Sequence, residues 1–190
     1  RNGAIILRGH VPDAAMRERL AAAGADVTAL ELASGAPEGF STAVDYALGV
    51  LGRLRSGTAR FSDASAEITG QAASGADYEA VTAMLATPPS GAFAVEATVR
   101  PPRADPFTWS ATRAADGRVT IAGHVPDADA RARVGDAAGS HVSDTSEIAD
   151  GAPAGFLDDA LAGLALLQEA QGGRLAFDGE TWSLSGTAAS

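Results

Sequence analysis

The chain has 190 residues, of which 46% are hydrophobic and 20% are charged, and this composition is typical of a globular protein with one or two modest cores. Its formal net charge of −10, with 14 Arg and no Lys, argues against nucleic-acid binding, because clustered cations bind phosphate backbones. The absence of cysteine excludes disulfides and thiolate metal sites, and no apolar run approaches the roughly 20 residues of a membrane-spanning helix.

A strand followed by a helix is the first predicted structure, in the stretch IILRGHVPDAAMRERL at residues 5–20. Every second residue up to Val11 is apolar or glycine, which predicts a strand with one buried face. Pro12 ends the strand, and the carboxylate of Asp13 can accept the free amide protons of a first helical turn. This strand-to-helix arrangement, from Gly9 to Asp13, is termed a corner below.

An amphipathic helix is predicted next, in PEGFSTAVDYALGVLGRLRSG at residues 37–57, with Pro37 in its first turn and Gly57 at its exit. A short strand TARFS, a strand AEITGQA, a helix that begins after a second corner, and the alternating strand AFAVEATV follow. Residues 37–99 are therefore predicted in the order helix, strand, strand, helix, strand. The apolar stripe of the long helix comprises Phe40, Val44, Leu51 and Leu54.

The remaining elements repeat the earlier ones after a linker, RPPRADP. FTWSATR is predicted to form a hairpin with RVTIAGHV across the turn ADG, and a third corner follows. A second amphipathic helix then leads to the strands RLAFD and WSLSGTA. The stripe of this helix comprises Phe156, Ala160, Leu164 and Leu167, with Pro153 in its first turn and Gly172 at its exit.

The chain is an internal repeat with a period near 116 residues. GHVPD recurs 114 positions later, and GAPEGF recurs as GAPAGF 116 positions later. We predict a first unit at residues 1–102, made of two related halves, and a second unit at residues 103–190 that is truncated at its carboxy-terminal end. Asn2 and Gly3 match the hairpin turn of the second unit, so the first unit lacks its first strand. Because Arg1 falls inside a repeat, we expect a piece of a longer protein.

Four corners share a glycine and, four positions later, a helix-capping residue. We predict a structural role for them, with each glycine facing the layer between sheet and helix. Buried apolar residues are expected eleven positions after the glycine. The four pairs are Gly9 and Asp13, Gly70 and Ser74, Gly123 and Asp127, and Gly186 and Ser190.

The corner histidines are predicted to be structural and not catalytic. His10 and His124 fall on the polar face of their strands, and the other two corners carry Gln71 and Thr187 at that position. His141, in GSHVSD, is expected in a surface loop. No nucleophile elbow, phosphate-binding loop or zinc-binding helix motif occurs in the sequence. We therefore predict a protein that is not an enzyme, with no catalytic, cofactor-binding or metal-ligating residues.

The order of elements and the apolar-x-Gly-x-small corner resemble the BON domain, which is named from bacterial osmotically inducible and nodulation proteins. Tandem units with a corner such as LRGHVPDA also resemble the amino-terminal region of OmpA-type envelope proteins. This resemblance covers nearly the whole chain. It implies an α+β fold of tandem two-layer units, in which small mixed sheets pack on helices in an αββαβ-type order. It also implies a bacterial periplasmic or outer-membrane-associated location.

Two functions remain open at this point. The first is a non-catalytic binding or scaffolding module of a larger OmpA-type envelope protein, with envelope proteins or a peptidoglycan-linked domain as partners. The second is a phospholipid-binding periplasmic module that protects against stress. The acidic charge favours the first function, because anionic lipid is normally attracted by a polybasic surface.

Exposed sheet edges are predicted at both ends of the chain. Apolar faces around Ile5 and Leu7, and around Trp182 and Leu184, are expected to be incompletely covered. Such edges recruit strands from neighbouring molecules, so we expect self-association through them.

Overall fold

A computed structural model describes residues 5–89 and 93–188. The predicted α+β class is confirmed, since small sheets pack with helices throughout this part of the chain. The described residues divide into two compact units. One runs up to Ala73 and includes Ala80–Val99, and the other contains Ser74–Glu79 and the chain from Arg100 onward. Asn2, Gly3 and Ser190, for which the sequence made predictions, lie outside the described residues.

The first unit contains two sheets. In one, β1 and β2 pair in parallel; in the other, β4 lies between β3 and β5 and pairs antiparallel with β3. From α2 to β5 the order is the predicted helix, strand, strand, helix, strand. The elements are β1 (Ile6–Val11), α1 (Ala14–Ala22), β2 (Asp26–Leu32), α2 (Phe40–Leu51), β3 (Leu54–Ser62), β4 (Ser65–Ala72), most of α3 (Gly75–Ala86) and β5 (Ala94–Arg100).

The second unit has one mixed sheet in the order β11-β10-β6-β7-β8, and β9 also pairs with β7. β6 pairs antiparallel with β7 on one side and with β10 on the other, whereas β8 and β9 pair with β7 in parallel. The elements are β6 (Trp109–Arg113), β7 (Val119–Val125), α4 (Ala128–Ala138), β8 (Val142–Asp144), β9 (Glu147–Ile148), α5 (Phe156–Glu169), β10 (Ala170–Phe177) and β11 (Trp182–Ala188).

Capping residues start three of the helices where the sequence predicted them. The Asp13 carboxylate accepts a hydrogen bond from the Met16 amide at 2.7 Å, and the Asp127 carboxylate accepts one from the Ala130 amide at 2.7 Å. Ser74 accepts a hydrogen bond from an amide three residues later at 3.1 Å. These bonds satisfy amide groups that have no partner inside the helix.

The long helices end earlier than the sequence predicted. α2 stops at Leu51, so Leu54 lies in β3 and not on the helical stripe. Gly57 is likewise a strand residue, paired with Gly70 of β4, and Gly172 lies in β10. The prediction was wrong because pairing of β3 with β4 extends back to Leu54, and a local helical pattern does not reveal that pairing.

β2, β8 and β9 were not predicted. β2 has the sequence DVTALEL, in which apolar residues do not alternate regularly, and its pairing with β1 shifts register between Ile6 and Arg8. β8 and β9 have three and two residues, which is too short for a periodic signal. All three pair in parallel with a strand that precedes a helix, so their partner is distant in sequence.

Trp109 is at the centre of the second core, with 1% of its surface exposed. Its ring lies 6.1 Å from that of Phe156 and 5.8 Å from that of Trp182, both in edge-to-face contact. The predicted stripe of α5 and the predicted buried positions after the corners are confirmed. The stripe residues Phe156, Ala160, Leu164 and Leu167, and the corner-helix residues Leu20, Val81 and Val134, are all buried.

The first unit has two smaller cores. One joins α1, β1, β2 and α2, and Phe61 of β3 packs against it. The other joins α2, β4 and α3, with the inward face of β5 against it. No helix within the described ranges is long and apolar enough to cross a membrane.

Replacement of a corner capping residue by alanine should lower the stability of its unit by a modest amount. Asp127→Ala should destabilise the second unit by about 1 kcal/mol, because the Ala130 amide loses its acceptor. Asp127→Asn is the matched control and should cost less, since an amide oxygen also caps a helix. Denaturant unfolding followed by tryptophan fluorescence reports this unit, because both Trp residues lie in it. Equal stability of Asp127→Ala and the unmodified chain would contradict this role.

Candidate functional site

Gly9 and Gly123, the corner glycines that precede α1 and α4, have a backbone conformation that favours glycine. Their φ angles are +109° and +99°. A Cβ atom at Gly123 would lie 2.3 Å from the Thr108 carbonyl oxygen and 2.8 Å from the Trp109 Cα. The missing side chain at Gly123 therefore makes room for the backbone of a neighbouring strand, at a position that falls in the same alternation as the buried Ile121 and Val125.

Gly70 and Gly186 also allow two strands to approach closely. A Cβ atom at Gly70 would lie 2.6 Å from the Ser56 carbonyl oxygen, and one at Gly186 would lie 2.8 Å from the Gly172 carbonyl oxygen. In both cases the closest backbone belongs to the preceding strand of the hairpin, β3 or β10. The Leu54 Cδ1 atom also lies 2.6 Å from the Cβ position of Gly70, and its side chain packs against the core of α2, β4 and α3.

The three histidines have different surroundings. His10 is exposed, and its Nε2 lies 3.6 Å from a carboxylate oxygen of Glu31. His124 is half-buried, and its ring centroid lies 5.7 Å from that of Phe107. His141 is exposed in a bend, where its Nδ1 lies 3.2 Å from the Ser140 hydroxyl. Across residues 5–89 and 93–188 no three His, Asp or Glu side chains are grouped closely enough to hold a metal ion.

A cleft of about 950 Å³ lies in the first unit, between β1 and β3 and over α2. Its walls are largely apolar, with arginines at Arg8, Arg55 and Arg60. His10 is its other titratable lining residue, and no carboxylate lines it. Apolar side chains on the walls include Leu7, Leu20, Phe40, Leu48, Leu51 and Phe61.

Within residues 5–89 and 93–188, the strands on the two sides of the cleft are each paired along one edge. Among the described residues β1 pairs with β2 alone, and β3 pairs with β4 alone. Each strand therefore presents one edge towards the cleft, where backbone amides and carbonyls can bond to an added strand. The cleft combines apolar side chains with two sets of backbone hydrogen-bonding groups.

The charged side chains that line the cleft are positive, whereas the net charge of the whole chain is negative. Arg8 in β1 lies near Asp26, which begins β2. The Thr28 amide and hydroxyl donate hydrogen bonds to the Asp26 carboxylate at 3.0 and 2.7 Å and, with a smaller contribution from Arg8, lower the pKa of Asp26. The chain has a formal net charge of −10, yet the charged side chains that line the cleft are arginines.

The predicted apolar faces at the two ends have different environments. Ile5 and Leu7 are half-buried and line the cleft. Trp182 is also half-buried and packs on the second core, while Leu184 on β11 is 48% exposed. Self-association through these edges stays a prediction.

The sequence predicted one side of the cleft and part of the other. The face of β1 was predicted from its alternating residues and TARFS was predicted as a strand, but Arg55 and the residues up to Gly57 were assigned to a helix. A signal was present in the repeat, because Phe61 and Phe177 occupy matching positions in β3 and β10.

Replacement by alanine should destabilise the protein to different extents at Gly9 and at Gly123. Both variants incur the strain of a positive φ, of order 1–3 kcal/mol. Gly123→Ala should lose at least about 1 kcal/mol more than Gly9→Ala, because its Cβ would also overlap β6, whereas no atom lies within 4 Å of that position at Gly9. Hydrogen exchange of each unit measures both losses. Equal losses in the two units would contradict the close approach of β6 to Gly123.

Comparisons with protein-family models, with curated proteins and with solved structures give no match for this chain. Its function is therefore to be inferred from the cleft and the chemistry of the residues that line it.

Proposed function

We propose that the chain is a non-catalytic binding or scaffolding module of a larger bacterial envelope protein, as its resemblance to tandem BON domains of OmpA-type proteins implies. The observation that carries this proposal is the cleft between β1 and β3. It offers apolar walls and strand edges, and its lining contains no carboxylate and a single histidine, His10. Such a lining suits the holding of a partner, because acid–base and nucleophilic catalysis need groups of cooperating side chains.

Phospholipid binding is the second candidate, and one observation favours it. Arg8, Arg55 and Arg60 line an apolar cleft, and a guanidinium beside apolar walls can bind a phosphate headgroup next to its acyl chains. The overall charge of −10 opposes attraction to an anionic membrane surface. Scaffolding through protein partners is therefore the preferred function.

Vesicle binding separates the two candidates. In co-sedimentation with vesicles of equal phosphatidylglycerol and phosphatidylcholine at physiological salt, we expect the chain to stay in the supernatant. A triple variant, Arg8→Gln, Arg55→Gln and Arg60→Gln, is the matched control and should behave in the same way. Salt-sensitive sedimentation of the chain that is lost in the triple variant would instead favour lipid binding in the cleft.

Cell fractionation tests the envelope assignment. Antibodies raised against this chain should detect the native protein in the envelope fraction of its source cells, together with an outer-membrane marker. Recovery with the cytoplasmic marker would contradict the assignment.

A further inference from the structure

We propose that the free edge of β5 (Ala94–Arg100) binds the same edge of a second copy of the chain, antiparallel around a two-fold axis at Thr98. β5 ends its three-stranded sheet, since it pairs with β4 alone among the described residues. The pairing joins two such sheets into one of six strands. It uses an edge other than those at which the sequence predicted self-association, and it does not depend on the envelope function.

The backbone groups on the free edge belong to alternate residues of β5. The amide of Ala94, its first residue, donates a hydrogen bond at 2.9 Å to the carbonyl oxygen of Ala64, which directly precedes β4. β4 and β5 therefore begin at the same end of the sheet and run parallel. Because successive residues of a strand direct their amide and carbonyl groups to opposite edges, those of Val95, Ala97 and Val99 are directed to the free edge.

β5 lacks the sequence features that usually prevent an edge strand from pairing. In other proteins prolines within the strand and exposed lysines serve this purpose. The burial of β5 alternates without interruption over its 7 residues, and proline occurs only after its end, at Pro101 and Pro102. The chain contains no Lys. The two charged side chains of β5, Glu96 and Arg100, have opposite signs, so they attract a second copy in a register that places them opposite each other.

The sequence of β5, AVEATVR, is self-complementary when it pairs around Thr98. Glu96 of each copy lies opposite Arg100 of the other, and Thr98 lies opposite Thr98. Pairs of opposite charge and pairs of threonines both stabilise antiparallel strands. Within the described residues neither Glu96 nor Arg100 forms an ion pair, and both are exposed. The pairing therefore supplies two ion pairs and one threonine pair without breaking an existing contact of these side chains.

The same register suits the backbone. Ala97 lies opposite Val99 of the second copy, and both have their amide and carbonyl groups on the free edge, so they form hydrogen-bonded pairs of an antiparallel ladder. Thr98 and the charged residues occupy the non-hydrogen-bonded positions, where side chains lie closer together. An axis at Glu96 would place Glu96 opposite itself, and like charges directly opposite are destabilising. Charge and hydrogen bonding therefore favour the axis at Thr98.

The inward side chains of β5 are incompletely covered. Val95, Ala97 and Val99 are half-buried against the core of α2, β4 and α3, whereas Ile68 of the neighbouring β4 is fully buried. In the paired register Ala97 and Val99 lie beside Val99 and Ala97 of the second copy, on this same face of the sheet. Pairing therefore buries further apolar surface, which favours association.

A single cysteine tests the position of the two-fold axis, since the chain has no cysteine of its own. In Thr98→Cys the two Cα atoms lie about 4.5 Å apart, within disulfide range, so mild oxidation should link the dimer covalently. Ala94→Cys is the matched control, because it is exposed on the same face and keeps both charged residues. Its two copies lie about 26 Å apart, so it should not be linked. Equal linkage of the two variants would overturn the proposal.

Charge reversal tests the register in solution, by sedimentation equilibrium at physiological salt. Salt screens most of the repulsion between two chains of net charge −10, and the unmodified chain should form dimers. Glu96→Arg should raise the dissociation constant of the dimer at least about tenfold, because two attractive pairs become repulsive. The double variant Glu96→Arg and Arg100→Glu should restore the affinity, since both pairs form again with the signs exchanged.

Glu38→Arg is the matched control for total charge. It changes the net charge as Glu96→Arg does, but at an exposed turn residue outside β5, so it should leave the dimer unchanged. Circular dichroism establishes that the variants are folded, and the double variant keeps the test decisive if Glu96→Arg alone does not fold. An unmodified chain that stays monomeric at millimolar concentration, or a dimer that a folded Glu96→Arg variant forms with full affinity, would overturn the proposal.

Discussion

The architecture of the second unit depends on one strand, β6, being paired along both of its edges. It connects β7, with the helix that follows it, to the hairpin of β10 and β11. Trp109 of β6 contacts rings from α5 and β11, so the same strand joins the sheet and fills the core. In the first unit, where no described strand takes this place, the matching elements form two separate sheets.

Local sequence signals were sufficient for the elements that depend on neighbouring residues. The caps at Asp13 and Asp127, the stripe of α5 and the hairpin of β6 and β7 each follow from short-range chemistry, and the structure has them where they were predicted. The parallel strands β2, β8 and β9 were missed because their hydrogen-bonding partners lie beyond an intervening helix. The predicted ends of the long helices were also wrong, because residues with a helical pattern pair in strands instead, as Leu54 does.

The candidate site was predictable only in part. Repetition indicated an uncovered apolar face near Leu7, but it did not show that β3 forms the opposite wall. The spacing of the corner glycines indicated a structural role but not which backbone lies against them, because the close neighbour of Gly123 is a backbone 15 residues earlier in sequence, at Thr108. Comparison of one repeat with the other supplies this information, since the second unit shows which surface each matching residue buries.

The pairing of β6 with β10 also has a consequence for folding kinetics. It brings Trp109 to Phe177 and Arg113 to Gly173, so a long segment of chain must be ordered before these contacts form. The pairs within the first unit are more local, with β1 joined to β2 across one short helix and β3 joined to β4 across a tight turn. Folding slows as the mean sequence separation of native contacts increases. The pairing of β6 with β10 therefore has a larger loop-closure entropy to overcome than the pairing of β1 with β2 or of β3 with β4.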